Sequence, residues 1–303
     1  MRFPPEIRHT CGNLLWLRRQ AAFEQARSSG DEASLHERFL KLARLRFGRD
    51  LSNLGDESSP IEEFGRGIQT LPQIDVAEPR QVLRAGLAGA GRLLLLPGLH
   101  GAAAVFVGLT NEIASPMEIV GWEHLGLDDS YGRPKRIEDP AARILDRERD
   151  VGLQEDQPLV IFGFCIGGLL GHAILKRHGD RPGRLIILDG HPAESIRTIS
   201  RTRRVLGTVK AVRDARLGGH VEHRLVRIGL DRLRAMGLHR TGSIKQDIVL
   251  YRSGTRLGFG PLDAAMWRDH ARSVRQIDLP DLGHTDVFRN GLERRIVGFL
   301  EAG

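Results

Sequence analysis

The chain has 303 residues, 41% of them hydrophobic, which suits one large α/β domain or a domain with an extension and excludes disorder throughout. Two cysteines, Cys11 and Cys165, exclude a disulfide framework and fit a reducing cytoplasm, while the N-terminus lacks the apolar run of a signal peptide and no window approaches the roughly 18 apolar residues of a membrane span. The net charge of +7 is uneven: between Ser195 and Arg240, eleven arginines and one lysine face only Asp214, Glu222 and Asp231, so this segment is basic and the rest slightly acidic.

Residues 1–80 carry twelve basic and twelve acidic side chains, which argues against a nucleic-acid-binding arm. Their pattern is helical: Leu14, Leu15, Leu17 and Ala21 share one face, and Leu35, Phe39, Leu42 and Ala43 another, with a break at Ser28-Ser29-Gly30-Asp31. A turn at Ser58-Ser59-Pro60 leads to Leu71–Ile74, which reads as an edge strand. This portion is an N-terminal helical extension, and the main domain, 81–303, begins near Gln81.

From there strands alternate with helical patterns, as a mostly parallel sheet flanked by helices requires. Arg92–Leu96 is an apolar run buried on both faces, followed by Pro97-Gly98-Leu99-His100-Gly101. Pro116–Gly121 reads as a strand, Ile137–Arg149 as a helix opening near Asp139-Pro140, and Leu159–Phe162 as a strand. A helix over Ile166–His178 ends in Lys176, Arg177 and His178 before Gly179, a cationic last turn and a glycine stop. Arg184–Asp189 is a further buried strand with an acid at its carboxyl end. After the basic segment, Asp247–Tyr251 and Ser273–Ile277 read as the last strands and Leu292–Leu300 as a closing helix.

Chemistry concentrates where the strand Leu159–Phe162 breaks into Gly163-Phe164-Cys165-Ile166-Gly167. G-x-C-x-G between a strand and a helix is the spacing of a nucleophile elbow, with Gly163 and Gly167 letting the two elements close around a strained residue. A cysteine attacks acyl carbon as its thiolate, so it needs a base and a source of positive potential; the helix N-terminus supplies the second. His284, on a loop beyond the last strand, is the best placed of twelve histidines, ahead of His100, His172, His178 and His191. Asp189 and Asp263 compete to orient it, and Asp189, at a strand tip, is favoured. The backbone N–H groups of Ile166 and Leu99 are the expected oxyanion donors.

Leu-Pro-Gly-Leu-His-Gly, Gly-Phe-Cys-Ile-Gly-Gly, Leu-Ile-Ile-Leu-Asp-Gly and Leu-Gly-His together resemble the thioesterase domains of nonribosomal peptide and polyketide synthases, from about Leu93 to Leu300. The resemblance implies an α/β-hydrolase fold, a Cys165–His284–Asp189 triad, His100 and Phe164 at the substrate, no metal or cofactor, and a helical lid over about 190–245. It also implies an acyl or peptidyl carrier protein as partner, its phosphopantetheine arm bearing the substrate; the arginines of the lid suit such an acidic, phosphate-bearing partner. Neither nucleic acid nor membrane is an expected partner.

The sequence departs from that family at the nucleophile, where cysteine is uncommon, and residues 1–80 lie outside the resemblance. A cysteine acyl-enzyme remains a thioester, which favours transfer to an amine or hydroxyl, or cyclisation, over hydrolysis. Two rival readings are a dienelactone-hydrolase-like enzyme, which also has a G-x-C-x-G elbow but a later acid and no long lid, and a non-catalytic docking module, which would need a broken triad.

Overall fold

Five consecutive buried residues, Arg92–Leu96, make the strand β2 an interior strand of the sheet. The pleat divides them, Leu94 and Leu96 packing on one face of the sheet and Leu93 and Leu95 on the other. In the computed structural model the described residues are 79–98, 106, 109–110, 113–123, 135–197, 231–254 and 262–284. They belong to one of the chain's two compact units, Pro79–Val205 with Ile228–Gly303.

Around β2 lie β1 (Arg80–Arg84), β3 (Glu118–Trp122), β4 (Leu159–Phe164), β5 (Gly183–Leu188), β6 (Asp247–Ser253) and β7 (Ser273–Leu279). They form one seven-stranded sheet in the order β1-β3-β2-β4-β5-β6-β7. Only the edge strand β1 runs antiparallel to its neighbour. This is the mixed, mostly parallel sheet of an α/β-hydrolase.

The helices cover the apolar faces. On one face, α1 (Glu138–Asp150) buries Ile144 and Leu145, and α2 (Ile166–His178) buries nearly its whole length. Phe106, Leu109 and Ile113 cover the opposite face, against Phe162 and Tyr251. The strand expected at Pro116–Gly121 starts and ends slightly later, and β6 and β7 each extend two residues beyond their expected ends. The helix expected from Ile166 to His178 has those bounds, and Gly179 follows in the left-handed region at φ 80°.

β1 is a correction to the sequence reading, which begins the domain at Gln81 but sees no strand there. Arg80, Gln81 and Arg84 make it read as polar. Its anchor is an ion network that reaches across β3 to β2. Arg80 Nε donates to Glu148 at 3.1 Å and its Nη2 to Glu118 at 2.8 Å, while Arg92 Nη1 lies 2.5 Å from Glu148 and its Nε 2.6 Å from Glu118. Trp122 Nε1 donates to the fully buried Glu148 at 2.7 Å. Two guanidinium groups and an indole N–H thus satisfy one buried carboxylate.

The expected lid is described at 190–197, including α3 (Ala193–Arg197), and at 231–245, including a helix, α4, over 231–238. The rest of the lid, the edge strand at Leu71–Ile74, the closing helix at Leu292–Leu300 and the extension up to residue 78 lie outside the described residues. No described helix is long and apolar enough to cross a membrane.

Candidate active site

The parallel register carries the ends of β2, β4, β5 and β6 to one edge: Leu96 pairs with Gly163, Phe164 with Leu188, and Leu188 with Tyr251. Residues just past those ends share one rim, the usual place for a site in an open α/β sheet.

Cys165 is the first of them. It sits between β4 and α2 at φ 54° and ψ −117°, backbone that a side chain rarely adopts. Its N–H donates to Leu188 O at 2.8 Å, and its carbonyl accepts from Gly168 N at 3.1 Å, so both sides of the strained residue are held. The glycines are needed because β4, α2 and β2 almost touch. A Cβ on Gly163 would stand 2.4 Å from the backbone of Gly167 and Gly168, and one on Gly167 would stand 2.3 Å from Leu96 O. Cys165 is a free, partly buried thiol.

Asp189, at the tip of β5, also takes positive φ, 52°, and is 3% exposed. Its N–H donates to Tyr251 O at 2.9 Å, and its Oδ1 accepts from Ser253 N at 2.7 Å. β6 thereby sets the acid's backbone and one oxygen, leaving Oδ2 for the histidine. His284 Nδ1 lies 2.9 Å from it. Cys165 is the ring's other polar influence, and with Nδ1 at the acid, Nε2 is the nitrogen left for the sulfur.

The imidazole has opposing influences. Burial alone would drive its pKa down, but hydrogen bonds and charge at Asp189 and Cys165 outweigh burial and push it up to about 9. Phe164 lies face to face with the ring, centroids 4.6 Å apart and planes 28° apart. That contact holds the ring flat and places an aromatic face beside a cation. Phe164, expected at the substrate, therefore has the catalytic histidine candidate as its neighbour. The small size of Gly98 makes room: a Cβ there would stand 2.8 Å from the Phe164 ring.

The competing acid does other work. Asp263 Oδ1 accepts from Ala265 N at 2.8 Å and caps the short 3₁₀ helix Ala264–His270. His172 and His178 likewise lie elsewhere. His172 is buried with Nε2 2.9 Å from His270 O, and burial pushes it down to about 4. His178 is buried near the end of α2; burial lowers its pKa too. His191 is buried beside the site, its pKa lowered by burial against the opposing charge of Asp189.

Ile166 opens α2, so its N–H has no partner within the helix and stands next to Cys165, where a tetrahedral oxyanion would form. Leu99 and His100 lie outside the described residues. No described trio of His, Cys, Asp or Glu is gathered to hold a metal ion. Sequence reasoning did not find Ser253, whose contribution is a backbone N–H, or Trp267, whose Nε1 donates to Gly190 O at 3.0 Å from 77 residues away. Neither leaves a local signal.

In this arrangement the imidazole can hold the thiol's proton while the carboxylate orients the ring, leaving a thiolate able to attack an acyl carbon. A family model described as Thioesterase domain matches residues 91–301. Among solved structures, the NocB thioesterase domain from the nocardicin cluster is 14% identical, with a TM-score of 0.55 over 75% of this chain and 100% of its own. The RedJ thioesterase from the prodiginine pathway of Streptomyces coelicolor is 19% identical, with a TM-score of 0.52 over 70% of this chain and 90% of its own. AB3403, a four-domain nonribosomal peptide synthetase, is 13% identical, with a TM-score of 0.62 over 98% of this chain and 26% of its own.

Proposed function

The chain belongs to the thioesterase domain family, and on that premise we propose that it releases an acyl, peptidyl or polyketide chain from a carrier protein through a Cys165 acyl-enzyme. The observation that carries this reading is the chain of contacts from Cys165 through His284 to Asp189 on a strained elbow.

Cys165 Sγ attacks the thioester carbonyl, and the carbonyl oxygen takes the negative charge against the N–H of Ile166, with Leu99 as the second donor. Collapse breaks the bond to the carrier's pantetheine sulfur, which takes its proton from His284 Nε2. One thioester replaces another, so little free energy is lost. His284 then removes a proton from the acceptor as it attacks the Cys165 acyl group. Collapse of the second intermediate releases the product and the Cys165 sulfur, the proton staying with the Cys165–His284 pair.

Because the acyl-enzyme stays a thioester, amine or hydroxyl acceptors, including cyclisation, compete well with water. Turnover of acyl-pantetheine thioesters with an amine or an internal hydroxyl present checks this: transfer or ring product in excess of free acid supports it. Free acid alone, formed equally well by Cys165→Ser, refutes a special role for the sulfur.

The carrier docks on the basic segment of the lid, whose arginines match its acidic surface and phosphate. Neutralising Arg201, Arg203 and Arg204 raises KM for a carrier-bound acyl group and spares a small thioester. Equal effects on both would contradict docking there. A dienelactone-hydrolase-like reading requires the acid at the β6 tip, where Ser253 stands and supplies only its backbone N–H to Asp189.

A further inference from the structure

The turn that carries the acid is unusually exposed to rotation. Asp189 occupies positive φ, and the next residue, Gly190, has no side chain to restrict the peptide between them. Two of the hydrogen bonds holding this turn, Asp189 N to Tyr251 O and Ser253 N to Asp189 Oδ1, come from β6 and grip the acid itself. Gly190 is gripped by a side chain: Trp267 Nε1–H donates to its carbonyl at 3.0 Å.

Gly190 also touches the nucleophile's residue, for a Cβ built on it would stand 2.6 Å from Cys165 O. Gly190 therefore lies against the elbow as well as beside the acid. A backbone shift at Gly190 would reach both Asp189, its neighbour in the chain, and the Cys165 carbonyl it packs against.

Trp267 is itself rigidly set. Its side chain is fully buried, with its ring centroid 5.7 Å from that of His172 and 6.0 Å from that of His270. The 3₁₀ helix that carries it is fastened at its end: His270 O faces His172 Nε2 at 2.9 Å and accepts from Ile244 N at 3.1 Å, and His270 Nδ1 lies 2.6 Å from Gly242 O. That helix packs on the stretch where the lid returns to the core, so Trp267 ties the acid turn to the returning end of the lid.

We infer that Trp267 is a positioning residue for the triad, its indole N–H fixing the Asp189–Gly190 turn and through it the Asp189–His284 hydrogen bond. The inference rests on the proposed roles of Cys165, His284 and Asp189, but its primary readouts involve no acyl substrate. Failure of the thioesterase reading would therefore be seen separately, as absence of an acyl adduct.

The test replaces Trp267 by 3-benzothienylalanine, which keeps the fused ring and puts sulfur where the N–H was. Trp267→Phe serves as a second variant. His284 is titrated by NMR of labelled imidazole, its resonance assigned by loss in His284→Asn, with Asp189, Cys165, Phe164 and the buried His191 as the groups around it. Loss of the N–H is expected to lower the His284 titration by about one unit from about 9, and to slow Cys165 alkylation by iodoacetamide at neutral pH. On a small thioester, kcat is expected to fall about tenfold with KM unchanged.

A folded variant whose His284 titration and alkylation rate match the wild type overturns the inference and leaves Trp267 a packing residue. If neither variant folds, the wild-type Trp267 indole N–H resonance decides. It must show an inflection as His284 loses its charge near pH 9, and a flat response overturns the inference.

Discussion

Replacing Asp189 by asparagine changes one atom's chemistry at the acid turn while its remaining carboxamide oxygen can still accept from Ser253 N. What is lost is the charge and the acceptor for His284 Nδ1–H, because the carboxamide NH2 now faces the ring. In the wild type, burial lowers the imidazole's pKa and only Asp189 and Cys165 raise it, with the net result about 9 against an ordinary 6.5. That rise corresponds to about 3 kcal/mol between the two protonation states. With Asp189 neutral, Cys165 alone opposes burial, and the His284 titration falls below its wild-type value. The assay is the pH dependence of acyl loading onto Cys165, followed by mass. Imidazolium must be present to protonate the leaving pantetheine sulfur, so wild-type loading falls off above about pH 9. In Asp189→Asn that limb moves to lower pH, and the rate at the optimum drops by roughly two to four orders of magnitude, as when a triad acid is neutralised. An unshifted alkaline limb would show that Asp189 does not set the state of His284.

Other perturbations probe the frame around the site. Glu148→Gln leaves Arg80 and Arg92 without their buried counter-charge, at a cost of about 3–5 kcal/mol, read as a melting-temperature drop of roughly 10 °C; a drop of only a degree or two would contradict the network's role. Arg232, in α4, is buried with no hydrogen-bond partner for Nε or Nη1 among the described residues, and burial pushes its guanidinium down to about 10. Arg232→Met is therefore expected to leave urea stability unchanged or to raise it, and a clear loss would reveal a partner outside the described residues. His172, held neutral by burial with its pKa near 4, binds a proton more readily in the unfolded chain. Its contribution to stability is complete above about pH 6.5 and is lost as pH falls toward 4, by up to roughly 3 kcal/mol. His172→Gln, which keeps a donor for His270 O, should flatten the stability profile in that window.

The elbow was legible because everything it needs is local: two glycines, a small nucleophile, an apolar strand before and a helix after. Asp189 and His284 could be picked from chain order, since parallel register brings successive strand tips to one edge; Asp263, further along its loop, became a helix cap. What escaped depends on partners distant in sequence. Arg80 and Arg92 look like polar interruptions until Glu118 and Glu148 fold against them, so β1 was missed and the head of β2 was read as merely apolar. The resemblance places Phe164 at the substrate and does not reveal the ring it stacks on, because His284 arrives from beyond the last strand. The Trp267 bond to Gly190 leaves no mark in either segment.

Intact-protein mass after incubation with acyl-pantetheine thioesters bears most directly on Cys165 as the point of chain release. The wild type should gain the acyl mass on the peptide containing Cys165, and Cys165→Ala should gain none. An adduct that persists in Cys165→Ala would contradict the assignment of the nucleophile and, with it, the account of His284 and Asp189 as its partners.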